Sequence, residues 1–288
     1  MRWRGRVPWR REPAPYSCSG SKWEAMTGTS TADPSRGRTG GHAVLVRPAR
    51  ELLGFVGARH RGGPVRVPHD GTAVLGHLVQ STGVPLTEVG ELLLDGVPAE
   101  TGDRPSDGGV VDVAPVRYPE RIRNRFVLDV HLGKLARRMR LLGIDTAYRN
   151  DATDEELLER AARQRRVLLT RDRGLLRRRA LPEGAYVYAS DPARQQTEVL
   201  ARFEPTPRPW TRCVSCNGQL VEVPKAEIAA RLEPGTRRCY DEFARCVACG
   251  GIYWPGAHSP RLRAIVESAL RRAARDDHLV EGPGSVQG

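Results

Sequence analysis

Between residues 119 and 205 the apolar positions alternate between two periods. Phe126–Asp129, Thr146–Tyr148, Val167–Thr170 and Tyr186–Ala189 are short apolar runs, the form taken by strands covered on both faces. In the segment after the first run, Leu132, Leu135, Ala136, Met139 and Leu142 share one face of a helix, and Lys134, Arg137, Arg138 and Arg140 fall mostly elsewhere on its surface. Thr153, with Glu156 three residues on, forms a capping box that fixes Asp154 as the first residue of a second helix. Strand–helix alternation of this kind predicts a parallel sheet, so this segment is α/β.

Residues 43–116 carry a different pattern. Val44-Leu45-Val46 starts a strand, and Pro64-Val65-Arg66-Val67-Pro68 reads as its hairpin partner. Thr72 to Thr82 reads as a helix with Val74, Leu75, Leu78 and Val79 on one face. Leu92-Leu93-Leu94 is a strand that ends in the turn Asp95-Gly96, and Val110-Val111-Asp112-Val113 is the last one. The unit is a small α+β sheet. Residues 1–41 show no periodicity and read as a disordered basic tail. Glu204–Pro209 is a linker, 211–258 a compact module, 259–275 an Arg-rich helix and 276–288 a frayed tail.

Charge changes this picture. The 288 residues carry a net charge of +12 with a pI near 10.0, which points to polyanionic partners, nucleic acid first. A GC-rich genome gives Arg-rich, Lys-poor chains too, so the total alone shifts the reading only modestly. The distribution says more: residues 119–180 hold seventeen Arg and Lys against nine Asp and Glu, whereas 43–116 hold six against nine. Nucleic acid or another polyanion is therefore expected on the α/β unit and not on the net-acidic one before it. No apolar stretch approaches the roughly 18 residues needed to span a bilayer, and the basic N-terminal segment lacks an apolar signal core. Six cysteines, four of them in two Cys-x-x-Cys pairs, read as a metal site in a reducing compartment, so the cytoplasm is the expected location.

Two constellations carry chemistry. Cys213-x-x-Cys216 and Cys246-x-x-Cys249 are two knuckles, and four sulfur ligands with no open position suit a structural Zn²⁺. The twenty-nine residues between them are enough for a ribbon hairpin. Cys239 has no knuckle partner and reads as a small buried apolar residue. The second constellation is acidic. Asp129 and Asp172 fall at the carboxyl ends of expected strands, and Asp154 opens a helix at the same sheet edge, where open α/β sheets bind their ligands. Three carboxylates there repel one another unless a divalent cation holds them, and hard oxygen ligands suit Mg²⁺ or Mn²⁺. Each position also has an ordinary reading as a helix cap. Asp191 is a fourth acid at that edge or, equally, an N-cap before Pro192. Arg137, Arg171 and Arg173 are candidates to hold phosphates, and His258 could touch one. Asp145 lies at the opposite edge.

In this order, Phe126-Val127-Leu128-Asp129, Leu135-Ala136-Arg137, Leu141-Leu142-Gly143, Asp154-Glu155-Glu156-Leu157, Leu168-Leu169-Thr170-Arg171-Asp172, the four cysteines and Ile252-Tyr253-Trp254 resemble the PIN-like RNase domain with a fused zinc ribbon, the Mut-seven C-terminal RNase family. Residues 43–116, with Gly83-Val84-Pro85-Leu86-Thr87-Glu88-Val89, resemble the ubiquitin-like, sulfur-carrier-like β-grasp domain often fused ahead of it. The resemblance implies a PIN-like nuclease domain over 119–205 and a zinc ribbon over 211–258. It also implies a metal-dependent endoribonuclease that uses Asp129, Asp154 and Asp172. Many PIN domains carry a further acid after the third, where this chain has Arg173-Gly174, which weakens a full four-carboxylate site. The β-grasp unit lacks the free terminal Gly-Gly of sulfur carriers, which leaves it a scaffold or a docking surface for a protein partner. The rival reading is a non-catalytic RNA-binding adaptor that uses the ribbon and the basic helices.

Overall fold

The computed structural model describes residues 42–60, 63–120, 124–256 and 259–280. The tail 1–41, residues 281–288 and His258 lie outside the described residues. The first sheet contains β1 (His42–Pro48), β2 (Val65–His69), β3 (Val89–Leu94), β4 (Val97–Ala99) and β5 (Val110–Pro115), in the order β2-β1-β5-β3-β4. Only the central β1–β5 pair is parallel. Strand alternation sends Val44, Val46, Val111 and Val113 into the core, where α1 (Leu75–Ser81) covers them with Leu75, Leu78 and Val79. The helix starts three residues later than expected. The Asp70 carboxylate accepts the N–H groups of Thr72 and Ala73 and so holds that stretch as a turn. A register shift between Val89 and Leu92 needs Gly90, because a Cβ there would lie 2.4 Å from the carbonyl oxygen of Pro115.

The second sheet contains β6 (Arg125–Leu128), β7 (Asp145–Tyr148), β8 (Val167–Thr170) and β9 (Gly184–Tyr186), all parallel, in the order β7-β6-β8-β9. Both faces are covered. Phe126, Leu128, Val167 and Leu169 point to the side packed by α2 (Gly133–Leu141) and α5 (Pro192–Phe203). Val127 and Leu168 point to the side packed by α3 (Asp154–Gln164) and α4 (Arg173–Leu176). The capping box at Thr153 and Glu156 is present. β9 stops two residues after it begins, short of the expected Ala189. The N–H groups of Tyr188 and Ala189 bond the Glu198 carboxylate of α5 instead of a neighbouring strand.

Arg140 departs from its expected surface position: it is buried, and its guanidinium donates to the carbonyls of Thr146, Val214 and Ser215. It thereby ties α2 to the cysteine module. The linker is also clamped. Arg208 N–H donates to the Leu142 carbonyl at 2.7 Å, which only Gly143, at φ +74°, leaves room for.

The third sheet, β10 (Leu220–Glu222), β11 (Ala244–Cys246) and β12 (Ile252–Tyr253), is antiparallel. Between its first two strands run α6 (Lys225–Ile228) and α7 (Pro234–Cys239), whose segment buries Ile228 and Leu232 with Val223 and Phe243 in a small core. Cys239 is exposed, contrary to the expected burial, because it ends α7 outside that core. Helix α8 (Ser259–Val280) runs past the expected end at 275, the first helix breakers being Gly282-Pro283. Val266 and Ala269 bury it against the second sheet's first face. No helix of the described residues is long and apolar enough to cross a membrane.

Candidate functional site

The acids sit where the winding of the second sheet reverses. From β6 the chain crosses through α2 to β7 on one side, then through α3 to β8 on the other, so the loops after β6 and β8 leave towards opposite faces. A crevice opens between such loops at the carboxyl edge. Asp129 follows β6 and Asp172 lies two residues beyond β8. The two are joined through one hydroxyl: Thr170 Oγ1 donates to Asp129 Oδ2 at 2.6 Å and accepts the Asp172 N–H at 2.9 Å. Thr170 is fully buried, and Asp129 is 6 % exposed. Asp129 is thus a buried carboxylate held in one orientation.

Asp172 caps α4, its Oδ1 accepting from Gly174 N–H at 2.6 Å and Leu175 N–H at 3.3 Å. Among the described residues, Asp129 Oδ1 and Asp172 Oδ2 have no hydrogen-bond partner. Asp154 is the exposed first residue of α3. Asp191 is the N-cap of α5, with its side chain on Ala193 and Arg194 N–H groups, which is its ordinary reading. The carboxylates are not gathered into a cage. Among the described residues, one group of three or more His, Cys, Asp or Glu is close enough to hold an ion, and it is the four cysteines.

Of the three candidate arginines, Arg171 donates to the Ala189 carbonyl, and Arg137 is exposed on α2. Arg173, the first residue of α4, lies over the Phe55 ring at 5.5 Å and the Tyr186 ring at 5.8 Å.

The four sulfurs lie within 4.8 Å of one another. The Cys213–Cys249 and Cys216–Cys246 separations are 3.7 and 3.4 Å, near the ~3.8 Å edge of a tetrahedron with ~2.3 Å Zn–S bonds. The knuckles repeat each other. Cys216 N–H faces Cys213 Sγ as Cys249 N–H faces Cys246 Sγ, both at 3.5 Å, and Asn217 and Gly250 follow at φ +70°. A Cβ at Gly218 would lie 2.8 Å from Cys246 Sγ, so glycine there keeps the space beside the sulfurs open. Burial raises the Cys213 thiol, but hydrogen bonds from the Tyr253 hydroxyl and from the Cys216 and Ser215 N–H groups outweigh it and hold the thiol at about 6. These residues fit a tetrahedral soft-ligand metal such as zinc.

Several residues at these sites escaped the sequence reading. Thr170 is the polar end of an apolar run, a signal that could have marked it. Arg140 lies four residues after buried Ala136, which places it on the helix's buried side. Asn217 accepts from Thr146 N–H and donates to Asp145, locking one knuckle to β7, and nothing in the sequence announces that contact.

Residues 124–266 match the Mut7-C RNAse domain, and residues 41–121 match the Mut7-C ubiquitin domain. The chain matches no curated protein and no solved structure.

Proposed function

Because this chain belongs to the Mut7-C RNAse family and carries the Mut7-C ubiquitin domain ahead of it, we propose that it is a metal-dependent endoribonuclease acting through Asp129, Asp154 and Asp172. The observation that carries the reading is the link from the Asp129 carboxylate to the Asp172 N–H across the sheet's switch point through Thr170, with one oxygen of each carboxylate lacking a donor among the described residues. Such oxygens are the donor chemistry that Mg²⁺ or Mn²⁺ takes. A cation there would supply an acidified water and neutralise the scissile phosphate.

The protein groups do the rest. Thr170 fixes one oxygen of the Asp129 carboxylate and so restricts the rotation of the other. Asp154, exposed at the start of α3, is the third carboxylate of this reading. Arg137 and Arg173 bring positive charge to flanking phosphates, while Arg171 is partly engaged in holding the Ala189 loop. Zinc on Cys213, Cys216, Cys246 and Cys249 is structural in this reading, because four thiolates leave no position for a substrate. The PIN resemblance extends the proposal to products with 5′-phosphate and 3′-hydroxyl ends, and the metal-binding cysteine pairs extend it to a reducing compartment, the cytoplasm.

The capping bonds of Asp172 favour the second reading, an RNA-binding adaptor without turnover. Cleavage separates the two. Asp129→Asn and Asp172→Asn should abolish Mn²⁺-dependent RNA cleavage while folding and RNA affinity persist. Asn caps a helix as well as Asp does, so the second change removes charge without removing the cap. Glu159→Gln, an exposed α3 residue paired only with Arg163 among the described residues, is the control. Wild-type protein that binds RNA but never cleaves it with Mg²⁺ or Mn²⁺ would establish the adaptor.

A further inference from the structure

The β-grasp unit meets the acidic edge through the Phe55 ring. Phe55 belongs to the core of the first sheet, yet its ring faces the second domain, meeting Tyr186 edge-on at a centroid distance of 5.1 Å and Tyr188 at 5.9 Å. Tyr186 ends β9, and its backbone N–H is fixed by Glu88 of the β-grasp unit at 2.7 Å. The two rings flank the guanidinium of Arg173, which directly follows Asp172 in the chain. Among the described residues, Arg173 makes no ion pair, unlike Arg178, which pairs with Glu155 in the same segment. An aromatic face attracts a cation without neutralising it. Arg173 is therefore held in place with its full charge available to an anion.

We propose that the β-grasp domain is part of the RNA site, with Phe55 and Tyr186 as positioning residues that hold Arg173 for a backbone phosphate beside the cleavage point. This inference rests on the ribonuclease reading for the identity of the anion. It gives the β-grasp domain a role that needs no charge of its own, which suits its net-acidic composition. It also makes the aromatic faces, not the apolar volume, the property that matters.

The test uses the full-length, zinc-loaded protein and a single-stranded RNA oligonucleotide. Arg173→Gln should weaken binding and lower the slope of log affinity against log salt by about 0.7, the loss of one phosphate contact. Phe55→Leu and Tyr186→Leu keep the charge and most of the volume but lose a ring. They should weaken binding about three- to tenfold with the salt slope unchanged. In cleavage, they should raise KM by the same factor and leave kcat near wild type, the mark of a contact made equally in ground and transition states. Tyr186→Phe keeps the ring and should behave as wild type, which separates stacking from folding. Thermal melts verify that each variant is folded; should Phe55→Leu fail to fold, Tyr186→Leu against Tyr186→Phe decides alone. Wild-type affinity in Tyr186→Leu or Arg173→Gln would overturn the proposal even if cleavage is robust. Conversely, a wild type that binds but does not cleave would end the ribonuclease reading, while the affinity and salt-slope results would still decide whether this clamp holds phosphate.

Discussion

Replacing Glu88 with alanine should cost this protein about 4 kcal/mol, and the reason lies between its two sheets. Glu88 and Arg202 are 2 % and 3 % exposed, one in the β-grasp unit and one on α5. Arg202 Nη1 donates to both Glu88 oxygens at 3.0 Å, Nη2 donates to the Thr87 carbonyl at 3.0 Å, and Nε meets Glu120. Burial pushes the Glu88 carboxyl up, and the facing Arg202 charge pulls against it. Removing one partner of a buried pair costs about 3–5 kcal/mol because the other charge is left without compensation. Glu120 remains as a second counter-charge, which places the loss near the lower end, at about 3 kcal/mol. The Tyr186 N–H also loses its acceptor, adding about 1 kcal/mol. Urea unfolding followed by far-ultraviolet circular dichroism reads the sum. The double variant Glu88→Met with Arg202→Met removes both charges together, so it should lose at least 2 kcal/mol less than the two single changes added, roughly the pair's coupling energy. A Glu88→Ala protein within about 1 kcal/mol of wild type would refute the reasoning, since no buried charge could then have been left unpaired.

Metal analysis should find close to one Zn²⁺ per chain, and Cys216→Ser should lower both the zinc content and the melting temperature of the whole described unit. The whole unit is affected because Arg140 and Asn217 bond the first knuckle to α2 and β7; a ribbon that melts alone, with the remainder unchanged, would contradict that coupling. Asp145 gives a pH signature. Burial raises its carboxyl, but hydrogen bonds from Arg166 and Asn217 and the charges of Arg166 and Arg212 outweigh it and hold it below the ordinary 3.8. A depressed folded value means that the stabilisation is present above pH about 4 and fades as pH falls through the folded value. Asp145→Asn should therefore be less stable than wild type by about 2–4 kcal/mol at pH 7, with the gap closing in acid. A gap that stays constant from pH 7 to pH 2 would assign the loss to packing instead of charge.

The parts legible in the sequence were those with a period. Buried runs located β6, β7 and β8, and helical spacing gave the covered face of α2. The capping box put Asp154 at the first residue of α3. The cysteine spacing anticipated a tight four-sulfur cluster, which the structure contains. What could not be read were pairings between distant positions. Glu88 and Arg202 stand 114 residues apart, and each looks like an ordinary surface charge until the two sheets face each other. The spacing from Ala136 marked the buried side of Arg140, but two of its carbonyl partners, those of Val214 and Ser215, lie in a knuckle more than seventy residues away. Phe55 lies in the core of the first sheet, and nothing in its neighbourhood along the chain tells which cation its ring faces. The acids were placed correctly at their elements, but the sequence gives no distance between them, and they are not drawn together as a cation's ligands would be.

The two edges of the second sheet carry different kinds of contact. At the amino edge, Asp145 opens β7 and gathers Arg125, Arg166 and Arg212, with Asn217 of the first knuckle on the same carboxylate. Arg166 also donates to the Phe126 carbonyl, so the cluster binds β6, β7 and the cysteine module into one piece. The carboxyl edge carries Asp129, Thr170, Asp172 and Arg173, with the β-grasp unit approaching through Phe55. A cysteine module anchored at the amino edge can rigidify the outer strand without competing for the crevice. The division follows from the parallel sheet itself: all four strands point one way, so every strand start lies at one edge and every strand end at the other. Charges that brace the fold and the acids of the carboxyl edge are thus kept a strand length apart, about 13 Å for the four residues of β6. Damage at the amino edge should therefore appear as lost stability, and damage at the carboxyl edge as lost turnover or phosphate binding in a protein that still folds.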